Sequence, residues 1–195
     1  MEKIKLADLL DITEYEKIRP ESRQEVMDHK KIRRIQLGSE ISLTFEDRTT
    51  IIFQIQEMMR AERLVHDSQI QAEIDVYNDL IPDQGELSAT LFIEITESDQ
   101  VKEKLHKFLG LTDGESLWLQ VGDTKIYATF EEGRAEEDKI SSVHYIRFTL
   151  TKSVQESLEN SAIEAKIGID QGTYKYTTVL SSDSRKSLIN DLRPA

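Results

Sequence analysis

Short stretches in which apolar and polar residues alternate dominate the second half of the chain. In the longest stretch, from Leu87 to Ile95, every second residue is apolar. Alternation with this period is typical of a β-strand that has one buried face. Turn signals such as Gly122 and Gly172 separate neighbouring stretches, and strands joined by short turns pair antiparallel. The pattern predicts a mostly antiparallel sheet of about six or seven strands.

The first half of the chain has the spacing of helices instead. Pro20 fits the first turn of a helix that runs to about Ile35 and stops at Gly38. Apolar residues three and four positions apart then indicate a longer helix from Thr49 to about His66. Helices followed by antiparallel strands favour the α+β class, with the helices packed on the sheet.

Nothing in the sequence divides the chain into separate domains. It contains no internal repeat and no linker rich in proline, glycine or serine, so we expect a single α+β domain over residues 1–195. Within it we expect a helical lead-in over residues 1–38, a core over residues 39–170, and a C-terminal extension of one strand and one helix over residues 171–195.

Composition narrows the classes of function. Cysteine is absent, which excludes disulfides, thiol catalysis and cysteine-ligated metal centres. The net charge of −12 argues against nucleic acid or a membrane surface as partner. No apolar run has the length of a membrane span and no secretory signal is evident, so we expect a cytoplasmic protein. The basic cluster from His29 to Arg34 fits a small anion site or a partner site, but it also has the composition of a helix C-terminus, where cations interact favourably with the helix dipole. We favour the helix C-terminus.

No standard cofactor or catalytic motif is present. The chain lacks glycine-rich phosphate loops, the nucleophile elbow and the zinc-binding H-E-x-x-H motif, so no cofactor is evident. Two polar residues, however, interrupt apolar faces. Glu62 continues the apolar stripe of the long helix, and His144 shares a strand face with Ile146 and Phe148. We therefore expect both side chains to be buried and to require a partner.

Two explanations for this pair stay open. In the first, Glu62 and His144 bind a divalent metal together with a further carboxylate, either Glu57 or Glu94. In the second, a serine or threonine hydroxyl or a carbonyl satisfies His144, and Glu62 forms an internal ion pair. The candidate cations for that ion pair are Arg60, Arg63 and Arg147.

A separate candidate surface lies on the polar side of the long helix, where Gln54, Gln56, Glu57 and Arg60 are grouped. These side chains fit a partner-contact surface, for which Gln54, Gln56 and Arg60 are the candidates. A solvated helix face explains the same pattern.

Several segments resemble an uncharacterised bacterial family of unknown function. The segment Phe45–Arg63 carries most of the resemblance, and the likeness extends to about Ile169. Three shorter segments contribute, namely Tyr15–Pro20, Tyr77–Pro82 and Ser142–Phe148. Members of that family are often encoded near rubrerythrin-like di-iron proteins and iron–sulphur oxidoreductases. The resemblance therefore implies a role beside peroxide or oxygen defence, and it implies no particular reaction.

These observations lead to two hypotheses of different class. The first is a non-enzymatic accessory protein that docks on a rubrerythrin-like or iron–sulphur redox partner and carries no cofactor of its own. The acidic charge, the lack of cofactor motifs and the resemblance favour it. The second is a divalent-metal-binding protein or metal-dependent enzyme that uses Glu62 and His144. Whether the protein catalyses a reaction stays open.

Overall fold

The computed structural model describes residues 1–95, 101–131, 135–136 and 139–193. Within these ranges a 3₁₀ turn over Leu6–Asp8 precedes the helices α1 (Ile12–Lys31), α2 (Arg48–Glu62), α3 (Asp67–Asn78), α4 (Val101–His106), α5 (Lys152–Glu159) and α6 (Ser182–Leu192). The strands are β1 (Arg34–Leu37), β2 (Ile41–Glu46), β3 (Glu86–Ile93), β4 (Leu117–Val121), β5 (Thr124–Tyr127), β6 (Thr129–Phe130), β7 (Ala135–Glu136), β8 (Lys139–Ile140), β9 (Val143–Thr149), β10 (Ala165–Gln171) and β11 (Tyr174–Val179). The predicted α+β class and the helical N-terminal segment are confirmed. Within the described ranges, no helix has the length and apolar character needed to cross a bilayer.

The strands form two antiparallel sheets and a short ribbon. One sheet has five strands in the order β1-β2-β3-β9-β6, and the other has four in the order β11-β10-β4-β5. The ribbon consists of β7 and β8. The sequence pattern did not predict the separation into two sheets. Alternation shows which residues share a face of a strand, but it does not show which strands pair with each other.

The two larger sheets enclose a shared apolar core. Leu43 pairs with Leu91 in the five-stranded sheet, and Leu119 pairs with Ile167 in the four-stranded sheet. All four side chains are fully buried in one cluster. The chain crosses from one sheet to the other at Ala128, between β5 and β6, so the two sheets are continuous at that side.

A helical layer covers the opposite face of the five-stranded sheet. Helices α2 and α3 contribute Ile51, Ile55 and Ile74 to a second apolar core, and Tyr145 of β9 packs against it. Side chains alternate along a strand, so Tyr145 and the core-facing Ile146 lie on opposite faces of the sheet. The five-stranded sheet is therefore covered on one face by the second sheet and on the other by helices.

Helix α1 is one continuous helix that packs along α2. It begins after Asp11, whose side chain accepts a hydrogen bond from the first turn. Pro20 consequently lies in the helix interior and not in its first turn as predicted. On either side of Pro20, Arg19 forms an ion pair with Glu57 of α2, and His29 forms a hydrogen bond with Asp47, the residue that caps α2. These contacts hold α1 against α2 on both sides of the proline.

The end of the predicted helical lead-in is wrong. Helix α1 ends at Lys31, and Arg34–Leu37 form the edge strand β1 instead of continuing the helix to about Ile35. The basic residues of this stretch made it resemble a helix C-terminus. Ile35 and Leu37 nevertheless alternate with polar residues and are buried in the shared core.

The predicted C-terminal extension belongs to the body of the fold. Strand β11 pairs with β10, and the Tyr174 hydroxyl donates a hydrogen bond to the Leu37 carbonyl oxygen at 2.5 Å. Helix α6 contributes Leu188 and Leu192 to the shared core. The C-terminal elements thus close the structure against its first strand.

Candidate functional site

The face of the five-stranded sheet that meets the helices is polar, yet it is buried. The register places Thr44 opposite Thr90 and Glu46 opposite Ser88. None of these four residues is more than 8% exposed. Buried polar groups require hydrogen-bond partners. The polar face therefore needs donors and acceptors from the residues that cover it, whereas the apolar face does not.

A cavity of about 260 Å³ lies between this polar face and the helical layer. Its walls come from the last turn of α1, from α2, from α3 and the loop after it, and from β2, β3 and β9. The main polar side chains of the lining are Lys30, Thr44, Glu46, Tyr77, Thr90 and Tyr145. The apolar side chains are Ile51, Leu80, Phe92 and Val143.

Glu46 places a carboxylate in this cavity. Its Oε1 accepts a hydrogen bond from the Thr90 hydroxyl at 2.6 Å, and its Oε2 accepts one from the Thr50 hydroxyl at 2.5 Å. The two hydroxyls hold the carboxylate in one orientation. Among the residues that the structure describes, none forms an ion pair with Glu46. Its negative charge is therefore not balanced by a direct contact with any of those side chains.

The junction between β2 and α2 fixes the position of this carboxylate. Glu46 is the last residue of β2, and the next residue, Asp47, caps α2. The Asp47 side chain accepts a hydrogen bond from the Thr50 backbone N–H at 2.9 Å, and the Asp47 N–H donates to the Thr50 hydroxyl at 3.0 Å. This reciprocal arrangement is a capping box. It holds the Thr50 hydroxyl beside Glu46.

Arg33 supports the same junction from the other side. It is 1% exposed, and its guanidinium donates to the carbonyl oxygens of Phe45 at 2.8 Å and of Glu46 at 3.2 Å. It also forms ion pairs with Asp47 at 3.2 Å and with Asp191 of α6 at 2.5 Å. Burial raises the pKa of Asp191 to about 6, although the hydrogen bonds from Arg33 oppose the rise. The segment that carries the Glu46 carboxylate is thus fixed by hydrogen bonds to the first turn of α2 and, through Arg33, is linked to α6.

Lys30 supplies positive charge to the cavity. Its Nζ lies 5.6 Å from the centre of the Phe53 ring, which is within the range of a cation–π interaction. Within the described ranges Lys30 forms no ion pair. Burial also raises the pKa of the cavity residue Tyr77, against the opposing effect of a hydrogen bond with Gln54. Tyr77 therefore contributes a neutral phenol at neutral pH.

The cavity combines polar side chains with an apolar wall. Small-molecule sites are concave and contain placed polar groups that orient the ligand. Here Glu46 and Lys30 are the charged residues of the lining, several hydroxyl side chains accompany them, and apolar residues form the rest of the wall.

Glu46 is not among the residues that the sequence marked as candidates, and Lys30 was noted only as part of the basic cluster from His29 to Arg34, for which a helix C-terminus was favoured. Ile41, Leu43 and Phe45 alternate with Ser42, Thr44 and Glu46, and this pattern alone predicts a half-buried strand with the polar residues on its other side. The composition of that side contains a usable signal, because β2 and β3 both carry hydroxyl side chains there in place of the lysine and arginine of a typical solvent face.

Glu62 and His144 are not brought together. Glu62 is the last residue of α2 and is exposed, so the prediction that it is buried is wrong. The helix ends there because Arg63 adopts the left-handed conformation with φ of 55°, and Leu64 joins the apolar core instead. His144 is buried as predicted, but it lies on the opposite face of β9 from Tyr145, which contacts the helical layer.

His144 has the environment of a core histidine. Its Nε2–H donates to the Ser141 carbonyl oxygen at 2.8 Å, and its ring meets Phe130 edge to face at 5.9 Å between centroids. This contact matches the alternative in which a carbonyl satisfies the imidazole. In the part of the chain that the structure describes, no group of three histidine, aspartate or glutamate side chains is arranged to hold a metal ion.

The two further carboxylates of the metal hypothesis form ion pairs elsewhere. Glu57 accepts hydrogen bonds from the Tyr15 hydroxyl at 2.7 Å and from Arg19 at 2.7 and 2.8 Å, and the bonds from Arg19 lower the pKa of Glu57. Glu94 pairs with Arg34 and accepts a hydrogen bond from a serine hydroxyl of β2. Partial burial by itself raises the pKa of Glu94. The hydrogen bonds together outweigh this effect, so the pKa of Glu94 lies below its ordinary value. Both carboxylates thus join separate elements of the fold.

The predicted partner-contact residues on α2 mostly face α1. Gln56 is buried, and its side-chain amide accepts a hydrogen bond from the Leu10 N–H at 2.7 Å and donates to the Leu10 carbonyl at 3.1 Å. Its prediction as a surface residue is therefore wrong. Arg60 pairs with Glu16 of α1 at 2.5 Å. Gln54 is exposed and lines the mouth of the Glu46 cavity.

Comparisons with known proteins identify a family and no activity. The model of a family described as "Protein of unknown function (DUF3501)" matches residues 3–192. The fold is similar to the crystal structure of a novel protein of unknown function from Burkholderia pseudomallei K96243, with 33% sequence identity and a TM-score of 0.90 over 98% of this chain and 100% of that chain. No curated protein matches. The predicted resemblance to an uncharacterised family is confirmed, and the setting beside redox proteins stays a prediction. This chain belongs to the DUF3501 family of proteins of unknown function.

Proposed function

We propose that this protein binds a small organic molecule through a positively charged amino group, in the cavity that contains Glu46. One observation carries the proposal. The Glu46 carboxylate is 8% exposed, is oriented by two hydroxyls and lines a cavity, and no described side chain forms an ion pair with it. The proposal concerns binding and assigns no reaction.

The physical reason is the cost of an unbalanced buried charge. Removing a carboxylate from water costs several kcal/mol unless a cation or a sufficient set of hydrogen bonds compensates it. Two hydroxyl donors compensate part of that cost at Glu46. An ammonium group placed in the cavity supplies the missing charge and further N–H donors. A hydrogen bond between charged groups contributes about 1.5–3 kcal/mol.

The ligand atoms around this carboxylate favour an organic cation. Divalent ions such as Ca²⁺ take about six to eight oxygen ligands, commonly from several carboxylates. The Glu46 site offers one carboxylate together with neutral hydroxyls from Thr50 and Thr90. An ammonium group has three N–H donors and is satisfied by fewer acceptors.

Calorimetric titration tests the proposal. A panel of primary amines with aliphatic and aromatic substituents is screened by thermal shift, and each hit is then titrated into the wild-type protein and into Glu46→Gln. We expect Glu46→Gln to weaken binding at least about tenfold, because the amide keeps the shape and removes the charge. Glu62→Gln is the matched control, since Glu62 is exposed and lies outside the cavity lining. Absence of amine binding, or equal affinity in both variants, contradicts the proposal.

We propose as a second function the docking of a redox partner, because one surface of the described structure suits it. The 3₁₀ turn, the start of α1 and the end of α2 enclose an apolar groove of about 290 Å³. Leu10 and Val65 are 36% and 66% exposed in this groove, and Asp11 and Asp67 lie at its rim. Exposed apolar residues beside acidic ones fit an amphipathic helix with basic flanks. The family resemblance suggests a rubrerythrin-like or iron–sulphur protein as the source of that helix.

Binding measurements at two salt concentrations test the docking function. We expect this protein to bind a rubrerythrin-like or iron–sulphur oxidoreductase at low salt and to lose affinity as salt increases. The double substitution Leu10→Asp with Val65→Asp is expected to abolish binding. Val179→Asp, which changes an exposed valine of β11, is the control. A complex that survives the double substitution, or no complex at low salt, contradicts the docking function.

A further inference from the structure

Two charged groups of opposite sign line the same cavity without forming an ion pair. Glu46 is at the end of β2 and Lys30 is in the last turn of α1. No ion pair joins them to each other or to another described residue. A cavity lined by separated charges of opposite sign has two contact points for a ligand that carries both signs.

Lys30 has an aromatic neighbour, and this contact leaves its N–H donors available. The Phe53 ring of α2 lies 5.6 Å from its Nζ, and the residue is half-buried. A contact with an aromatic face positions the ammonium group without using its N–H donors in the way that a carboxylate does. A ligand carboxylate or other anion is the natural partner for those donors.

The remaining surface of the cavity accepts an apolar substituent of limited size. Ile51, Leu80, Phe92 and Val143 form the apolar part of the lining. A volume of about 260 Å³ is below that of the pockets that bind drug-sized ligands, which begin at about 300 Å³. The ligand is therefore about as large as a single amino acid and not as large as a nucleotide.

On the basis of the proposed amine site, we infer that the ligand is a zwitterion of the amino acid type with an apolar side chain. Its amino group contacts Glu46, its carboxylate contacts Lys30, and its side chain packs on Phe92 and Val143. This assigns Lys30 the role of distinguishing an amino acid from the corresponding simple amine.

Matched ligand pairs test this inference separately from the amine site. L-Leucine and 3-methylbutan-1-amine, and L-phenylalanine and 2-phenylethylamine, differ only in the carboxylate. In the wild-type protein we expect the amino acid of the preferred pair to bind at least about tenfold more tightly than its amine. Lys30→Gln is expected to remove this preference and to leave the affinity for the amine within about twofold. Lys31→Gln is the control, since Lys31 is an exposed neighbour paired with Asp28.

These measurements distinguish a failure of the zwitterion inference from a failure of the amine site. If the amines bind through Glu46, but the amino acids bind no better and Lys30→Gln changes nothing, the zwitterion is wrong and the amine site stands. If neither the amines nor the amino acids bind the wild-type protein, or if Glu46→Gln retains full affinity for both, the amine site fails and the zwitterion fails with it.

Discussion

Replacing Arg33 by methionine is expected to cause a large loss of stability. The guanidinium is 1% exposed, and it donates hydrogen bonds to two backbone carbonyl oxygens and to the Ser187 hydroxyl. It also pairs with Asp47 and Asp191, which are both buried. Methionine fills part of the same volume but satisfies none of these acceptors.

The size of the effect follows from what the substitution leaves behind. Removing one partner of a buried ion pair costs about 3–5 kcal/mol, because the other charge stays buried. Asp47 keeps His29 at 2.6 Å, so most of the cost falls on Asp191 and on the orphaned carbonyl oxygens. We therefore expect Arg33→Met to lower the free energy of unfolding by about 3–5 kcal/mol. Typical domains have about 5–15 kcal/mol in total.

Urea unfolding measures this loss. Trp118 is the single tryptophan and is buried in the four-stranded sheet, so its fluorescence reports global unfolding. The control is Arg34→Met, because Arg34 is half-exposed and forms a pair with Glu94 near the surface. That pair is worth at most about 1 kcal/mol. The double substitution Arg33→Met with Asp191→Leu should recover at least about 2 kcal/mol, since it removes the uncompensated carboxylate.

Two results would refute this reasoning. One is a loss below about 1 kcal/mol for Arg33→Met, which is the size of a surface pair. The other is a double variant that is less stable than Arg33→Met alone, because the isolated Asp191 carboxylate would then not be the source of the cost.

Three further predictions concern other parts of the fold. Burial raises the pKa of Asp191 to about 6 from an ordinary value of 3.8, so its contribution to stability is complete below about pH 4 and is lost as pH rises through 6. The stability of the wild type relative to Asp191→Asn should therefore fall by about 2–3 kcal/mol between those pH values in urea titrations, and a constant difference contradicts this. Gly168→Ala places a methyl group 2.2 Å from the Trp118 ring and should cost about 1–3 kcal/mol with a shift in tryptophan emission; an unchanged spectrum and midpoint contradict the clash. Arg19 lowers the pKa of Glu57, so Glu57→Gln should cost about 1–2 kcal/mol near neutral pH, and this cost should vanish as pH falls below 4.5 through the lowered pKa; a cost independent of pH contradicts the assignment.

The sequence predicted the elements whose pattern is local. The alternation from Leu87 to Ile95 predicted β3, and the turn at Gly122 predicted the hairpin of β4 and β5. His144 was correctly predicted to be buried, because its strand face is otherwise apolar. In each case the evidence lay within a few residues of the element itself.

The errors arose where the end of a helix, or its packing against another element, decides the outcome. Glu62 continues the apolar stripe of α2 in sequence, but the left-handed turn at Arg63 ends the helix and lets Leu64 join the core. Gln56 was predicted on a polar surface, yet α1 and the segment before it cover that side of α2. Helix packing of this kind is not encoded in the periodicity of one segment.

The candidate site was missed for the same reason. A polar strand face normally faces water, and nothing local to β2 shows that helices α2 and α3 will cover it. Glu46 becomes a buried carboxylate through the assembly of two layers, and Lys30 reaches the cavity from a third element. Only the serine and threonine residues at alternate positions of β2 and β3 indicated from the sequence that this face is covered.

A crystal structure of the wild-type protein with a bound primary amine tests the central claim most directly. We predict an amino nitrogen within hydrogen-bond distance of the Glu46 carboxylate, about 2.7–3.2 Å from one of its oxygens. An amine that occupies another part of the molecule, or a Glu46 carboxylate that forms an ion pair with a protein side chain while the cavity stays empty, would contradict it.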